Sequence, residues 1–156
     1  MYLASGAEGS VYAWIVCLMP LFLMIAGLVT DLSTMYSLVS RVQATLDAAG
    51  TSAISSSLLE TSIMDGQNDP AIDPEKARQN FFWLVKRNLR LKDDLQPQPE
   101  SFLEGGLQFT QMEIQAEGPP SVTITARVPF KATLLGFILP EFSLPVHSQS
   151  VLETTN

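Results

Sequence analysis

Side chains suited to catalysis or metal binding are scarce in this sequence. Cys17 is the only cysteine and His147 the only histidine among 156 residues. A single cysteine excludes an intrachain disulfide and a cysteine-based zinc site, and a single histidine leaves a triad or histidine cluster without its other members. No G-x-S-x-G, no H-E-x-x-H and no pair of carboxylates in an apolar setting occurs. We therefore expect no enzyme, no cofactor and no small-molecule substrate, and His147 is interpreted as a half-buried strand residue.

Positive charge is also in short supply. The sequence has nine Lys and Arg residues and sixteen Asp and Glu residues, for a net charge of −7. An acidic chain of this kind argues against a nucleic-acid partner, because binding a polyanion requires a basic surface. No Lys or Arg precedes Arg41. A cleaved signal peptide lacks its basic start here, and the distribution of loop charge does not indicate which way a membrane helix points.

Residues 11–30 form a long uncharged run, VYAWIVCLMPLFLMIAGLVT, bounded by Glu8 and Asp31. Its length is close to the ~20 residues that a helix needs to cross the hydrocarbon core of a bilayer. Transmembrane helices tolerate a proline such as Pro20, and Tyr12 and Trp14 lie where an interfacial aromatic belt is expected. The run therefore predicts a retained transmembrane helix. A buried core helix is the alternative.

The apolar pattern then continues as a stripe with helical spacing. No glycine or proline follows until Gly50, so one helix is expected to reach about residue 60, a length of roughly 75 Å at 1.5 Å per residue. Such a stripe is either an assembly face for other helices or the packing face of the chain's own domain, and the sequence leaves both open. The stripe comprises Leu28, Leu32, Met35, Val39, Val42, Leu46, Ala49 and Ala53.

A turn-rich loop separates this helix from a second one. Asp73 is suited to an N-cap, Pro74 to the first helical position and Glu75 to the positive helix end, so a helix is predicted from about Pro74 to Lys92. A calcium loop is the alternative use of the acidic side chains, although the EF-hand spacing is absent. Those side chains are Asp65, Asn68, Asp69 and Asp73.

The second predicted helix is amphipathic and strongly basic. It would suit anionic headgroups or an acidic partner, or simply face water. Its basic residues are Lys76, Arg78, Lys86, Arg87, Arg90 and Lys92, and its apolar face is Ala77, Phe81, Leu84, Val85 and Leu89.

The C-terminal part alternates with the period of β-strands. The phase of alternation changes between Phe109 and Met112, which predicts a bulge near Thr110. Strands are predicted around residues 107–116, 122–130 and 142–152. The expected fold class is α+β: a long N-terminal helix, a second amphipathic helix and a small antiparallel sheet whose buried face the helices cover.

Three sequence features resemble the TadE/TadF/TadG-like minor pilins of tight-adherence (Tad) pili. The first is Gly9 just before an apolar helix that contains Pro20. The second is the exit sequence AGLVTD, ending at Asp31, followed by RVQATLDAAGTSAI at residues 41–54. The third is the stretch SVTITARVPFKATLLGFILPEFSLPVHSQSVLE at residues 121–153. Together these features touch about two thirds of the chain.

The resemblance implies an inner-membrane, single-pass subunit that primes, joins or anchors a Tad or type IV-like pilus or secretion assembly. Residues 1–30 would be the N-terminal segment and transmembrane helix, and residues 31–156 an extracytoplasmic pilin-like domain, with the N-terminus cytoplasmic. The implied partners are membrane lipid and other pilin-like subunits or pilus assembly proteins. Gly9 matches the position of a prepilin-peptidase site. Because Glu8 precedes it and Trp14 lies five residues later, where such sites usually have a basic residue and a glutamate, an uncleaved chain is the alternative.

The first functional hypothesis is therefore a structural subunit that acts through helix packing and subunit contacts. The alternative is a membrane-tethered binding or sensor module for an extracytoplasmic ligand. A sensor would ordinarily continue into a second membrane or signalling segment, which this sequence does not contain.

Overall fold

The computed structural model has the α+β architecture that the sequence predicts. It describes residues 5–58, 71–116, 119–133 and 141–152, with the side chains of α1 from Tyr12 onward. The elements in chain order are α1 (Ser5–Ser56), α2 (Pro74–Asn88), β1 (Gln108–Gln115), β2 (Ser121–Phe130) and β3 (Phe142–Val151).

Helix α1 is continuous over 52 residues and passes through both Pro20 and Gly50. It ends at Ser56, slightly earlier than the expected residue 60. The amide of Ser57 donates to the carbonyl of Ile54, three residues earlier, at 3.1 Å, so the chain leaves the helix in a tighter turn than the α-helical one. The carbonyl of Ser57 accepts the amide of Asp73 at 2.9 Å. The outer end of α1 is thereby tied to the start of α2.

Helix α2 begins as predicted and ends earlier than predicted. Asp73 is the N-cap, and its Oδ1 accepts the amides of Glu75 and Lys76 at 3.0 and 3.2 Å. The C-terminal end expected at Lys92 is wrong: Arg90 takes a left-handed conformation with φ of 53°. The amide of Leu91 then donates back to the carbonyl of Lys86 at 2.8 Å. This is the hydrogen bond of a Schellman cap, which stops the helix without the usual glycine.

The three strands form an antiparallel sheet in the order β1-β2-β3. Ile124 at the middle of β2 pairs with Met112 of β1 and Ser148 of β3. The pairing of β1 with β2 shifts between Phe109 and Gln111, so the bulge predicted near Thr110 is confirmed. The bulge returns the apolar side chains on both sides of it to the same face of the sheet.

Both helices cover one face of this sheet, as expected. Contacts join α1 to β2 and β3, and α2 to β1 and α1. Phe81 and Phe82 of α2 meet Phe109 of β1 edge to face, with ring centroids 6.0 and 5.3 Å apart. The inward side chains of β2 complete the core: Val122, Ile124, Ala126 and Val128 are all fully buried.

Candidate functional site

The inner half of α1 is an apolar helix that nothing in the described part of the chain covers. Side chains from Tyr12 to Ala26 are all exposed. Leaving so much apolar surface in water would be costly, at about 25 cal/mol per Å². By length and composition this helix can cross a membrane, a test that a signal sequence near the N-terminus also passes.

The predicted stripe divides into two parts along α1. Leu28 and Leu32 are 40% and 49% exposed, while Met35 and Val39 are half-buried. The outer four residues lie in the core of the chain's own domain: Val42, Leu46, Ala49 and Ala53. The outer part therefore packs internally, one of the two uses that the sequence left open. The assembly role of the stripe stays a prediction, and the exposed residues at its inner end are where it applies.

Asp31 is the first buried side chain among the described side chains of α1. It is only 4% exposed although it is an acidic residue. Its Oδ1 accepts the backbone amide of Thr133 at 3.0 Å, across 102 positions of sequence. Gly27, one turn earlier on the same face of α1, is also buried. The start of the β2–β3 connection therefore lies against the helix where its uncharged run ends, and residues 134–140 of that connection are outside the described residues.

A second polar junction joins α1 to the sheet. Ser148 of β3 donates its hydroxyl to Oδ1 of Asp47, and Ser150 donates to the backbone carbonyl of the same residue at 3.3 Å. The helix approaches closely here, because a Cβ added at Gly50 would lie 2.5 Å from Oγ of Ser150. No spacing in the sequence links Asp47 to these serines. The one sequence signal for the junction is that Ser148 and Ser150 occupy the same alternating positions of β3 as the buried Val146.

The outer face of α2 is basic and partly aromatic. Lys86 pairs with Asp93 at 2.9 Å and Arg90 with Glu100 at 2.7 Å. Trp83 is 55% exposed, and the guanidinium of Arg87 lies 5.1 Å from the centroid of its ring. The structure thus brings four of the six predicted basic residues, Arg78, Lys86, Arg87 and Arg90, to two grooves that share Trp83 and Lys86.

The remaining sequence candidates lie apart from one another. Gly9 is within the first turns of α1. Cys17 is exposed on the apolar part of α1. His147 is exposed on the outer face of the sheet, not half-buried as expected, with Nδ1 3.3 Å from Oγ1 of Thr125. Among the described residues, no three His, Cys, Asp or Glu side chains form a group that could hold a metal. The calcium alternative falls mostly on Asp65, Asn68 and Asp69, which lie outside the described residues.

Comparison with known proteins agrees with the resemblance seen in the sequence. Residues 9–55 match the family model described as "Putative Flp pilus-assembly TadE/G-like". The match covers the apolar run and the outer, core-packing part of α1, and it confirms the TadE-like, pilin-like character of this segment. It supports a role in Flp (Tad) pilus assembly. No curated protein and no solved structure matches the chain.

Proposed function

We propose that this chain is a non-catalytic, membrane-anchored minor pilin or pilin-like subunit of a Tad-type pilus or secretion assembly. The observation that carries the proposal is the contrast along one continuous helix. Its inner half exposes apolar side chains from Tyr12 to Ala26, and its outer half buries one apolar face in a small α+β domain from Val42 onward. Such a helix needs a nonpolar environment for its inner half only.

The neighbours of the exposed half would be lipid along most of the span and other helices at its outer end. Leu28, Leu32 and Tyr36 are exposed around the point where the uncharged run ends, at 40%, 49% and 76%. The match to a pilus-assembly family spans these positions. We therefore expect other pilin-like subunits to pack their own helices against this part of α1, by contacts of the kind that hold helical bundles together.

The location follows from the resemblance. The chain would be a single-pass protein of the cytoplasmic membrane, with the N-terminus in the cytoplasm and the domain outside, and it would join or prime a pilus through that domain. A membrane-tethered sensor has no specific observation in its favour.

Replacing Leu32 with glutamate tests the assembly role directly. Leu32→Glu would put a charge into the helix contact, where an unpaired buried charge costs several kcal/mol. The full-length variant, extracted in a mild detergent, should melt like the wild type because Leu32 contributes little to the core. It should nevertheless lose copurification with the other TadE/G-like subunits of its host.

Ser40→Glu is the matched control. Ser40 is exposed on the same helix, and the substitution adds the same charge. It should leave both melting and copurification unchanged. Full copurification of Leu32→Glu would contradict an assembly contact at this end of α1, and equal losses in both variants would attribute the effect to charge alone.

A further inference from the structure

Positive charge in this acidic chain is concentrated on one helix and the residues just after it. Residues 74–94 hold six of the nine Lys and Arg residues and three acidic residues, Glu75, Asp93 and Asp94, for a local net charge of +3 within a chain of −7. The rest of the chain therefore carries −10. α2 turns Ala77, Phe81 and Val85 inward, which leaves its cations on the outer surface. A local positive surface of this kind attracts a negatively charged partner.

An exposed tryptophan lies at the centre of this positive surface. Trp83 and Lys86 together border two adjoining grooves, of about 530 and 380 Å³. Arg78 lines the larger groove together with the acidic residues Glu75 and Asp93. Arg87 and Arg90 line the smaller one, which Asp93 also borders. We refer to Arg78, Trp83, Lys86, Arg87 and Arg90 as the Trp83 patch. Tryptophan and arginine are the side chains that most often dominate binding energy at protein interfaces.

The patch offers both charge and apolar surface to a partner. Phe82 and Leu95, both half-buried, line the larger groove beside Trp83. Lys86 and Arg90 already have carboxylate partners. Arg78 and Arg87 have none among the described residues, and Arg87 instead covers the ring of Trp83. Trp83, Phe82 and Leu95 thus give the larger groove an apolar part beside its charged residues.

We infer that the Trp83 patch binds an acidic polypeptide segment that also carries an apolar side chain. Carboxylates of the segment would pair with Arg78 and Arg87, and its apolar side chain would lie against Trp83 and Phe82. This contact is separate from the helix packing proposed for Leu32, so either proposal can fail without the other.

Distance favours a polypeptide over lipid headgroups. Asn80 of α2 donates to Oγ of Ser56 at 2.8 Å, so the part of α2 next to Trp83 lies at the outer end of α1. Ser56 follows Asp31 by 25 positions, which is roughly 38 Å along a helix. Even a helix tilted by about 40° would hold Arg78 and Trp83, which lie near Asn80, roughly 20 Å or more from the end of the uncharged run. That is well beyond the Debye length of about 8 Å at physiological salt. The end of α2 lies nearer to the run, because Ser101 donates to the carbonyl of Leu89 and the following Phe102 lies against Arg41.

A binding titration on the full-length protein in nonionic detergent tests the inference. The probe is a short fluorescent peptide rich in glutamate with one central leucine, followed by fluorescence anisotropy at low and physiological salt. We expect saturable binding that weakens with salt, and about tenfold weaker binding by the Arg78→Glu, Arg87→Glu double variant. Trp83→Ala should also weaken binding, and a peptide without the leucine should bind less well to the wild type.

The matched control is the Arg127→Glu, Lys131→Glu double variant, which makes the same change in net charge at exposed positions outside the patch. It should bind like the wild type. Equal weakening in the two double variants, or a Trp83→Ala variant that binds normally, would overturn the proposal. If the first double variant fails to fold, Arg78→Gln with Arg87→Gln provides the same comparison without charge reversal.

Two further probes decide the class of partner. Mixed micelles of the same detergent with phosphatidylglycerol, and a single-stranded oligonucleotide, carry negative charge without the peptide's side chains. Suppose that either probe binds at least as tightly as the peptide and that the same patch variants lose this binding. The patch would then be assigned to headgroups or nucleic acid, and the polypeptide assignment would be overturned. If none of the three probes binds, the polypeptide assignment is overturned as well.

Discussion

At the scale of single residues, Asp31 stands out because it is buried beside an exposed apolar helix. Its carboxylate accepts the amide of Thr133, and this bond fastens the β2–β3 connection to α1. Asp31→Ala would remove the acceptor and leave a partly buried amide unpaired, a loss of about 1–3 kcal/mol. We expect a lower melting temperature for the full-length variant in detergent.

Asp31→Asn is the informative control, since the amide oxygen can still accept the bond from Thr133. It should recover much of the lost stability. A melting temperature for Asp31→Ala equal to that of the wild type would mean that the contact with Thr133 does not stabilise the domain.

Sequence reasoning at this scale identified local roles better than distant pairs. Asp73 was predicted as a helix cap because its partners lie two and three residues away. The partners of Asp31 and Asp47 lie about a hundred positions away in sequence. No periodicity links such positions, because the pairing depends on how the sheet is placed against the helix. Asp47 lies outside the apolar stripe, so the sequence indicates no contact for it, although its oxygens accept hydrogen bonds from two serine hydroxyls of β3.

At the scale of elements, α1 serves two environments with one apolar stripe. Period and length predicted the helix, but the stripe alone could not separate residues that face lipid or partners from residues that face the domain. The packing of β2 and β3 against α1 decides which stripe residues are buried in the domain, and that burial begins near Val39. The early end of α2 was likewise hidden, because Arg90 is not a residue type that usually signals a left-handed cap.

The outer half of the stripe should behave as core. Val42 is fully buried, so Val42→Glu would place an unpaired carboxylate in an apolar interior and destabilise the domain by ~3 kcal/mol or more. Thermal unfolding of the full-length variant should show a clear fall in melting temperature. Ser40→Glu, two residues earlier and exposed, should melt like the wild type. If Val42→Glu melted normally, the packing of α1 on the sheet would be wrong.

At the scale of the whole molecule, the chain has an apolar rod at one end and an acidic α+β domain at the other. The fold class and the TadE-like character of residues 9–55 were both within reach of the sequence, because long uncharged runs and clean alternation are strong local signals. The orientation across the membrane could not be predicted from the sequence. The positive-inside rule compares basic residues on the two sides of a helix, and the first basic residue, Arg41, lies beyond the run.

Cysteine labelling can settle that orientation, and the chain provides its own control. Cys17 is the only native cysteine and lies within the uncharged run, so wild-type protein should resist a membrane-impermeant maleimide in intact spheroplasts. Gln149 is exposed on the outer face of the sheet, and Gln149→Cys should be labelled there without lysis if the domain is extracytoplasmic. Labelling of Gln149→Cys only after lysis would place the domain in the cytoplasm. The proposed function would then fail, because a pilus subunit could not present its domain to an assembly outside the membrane. The binding of acidic peptide by the Trp83 patch could still be tested, since it does not depend on which side of the membrane the domain occupies.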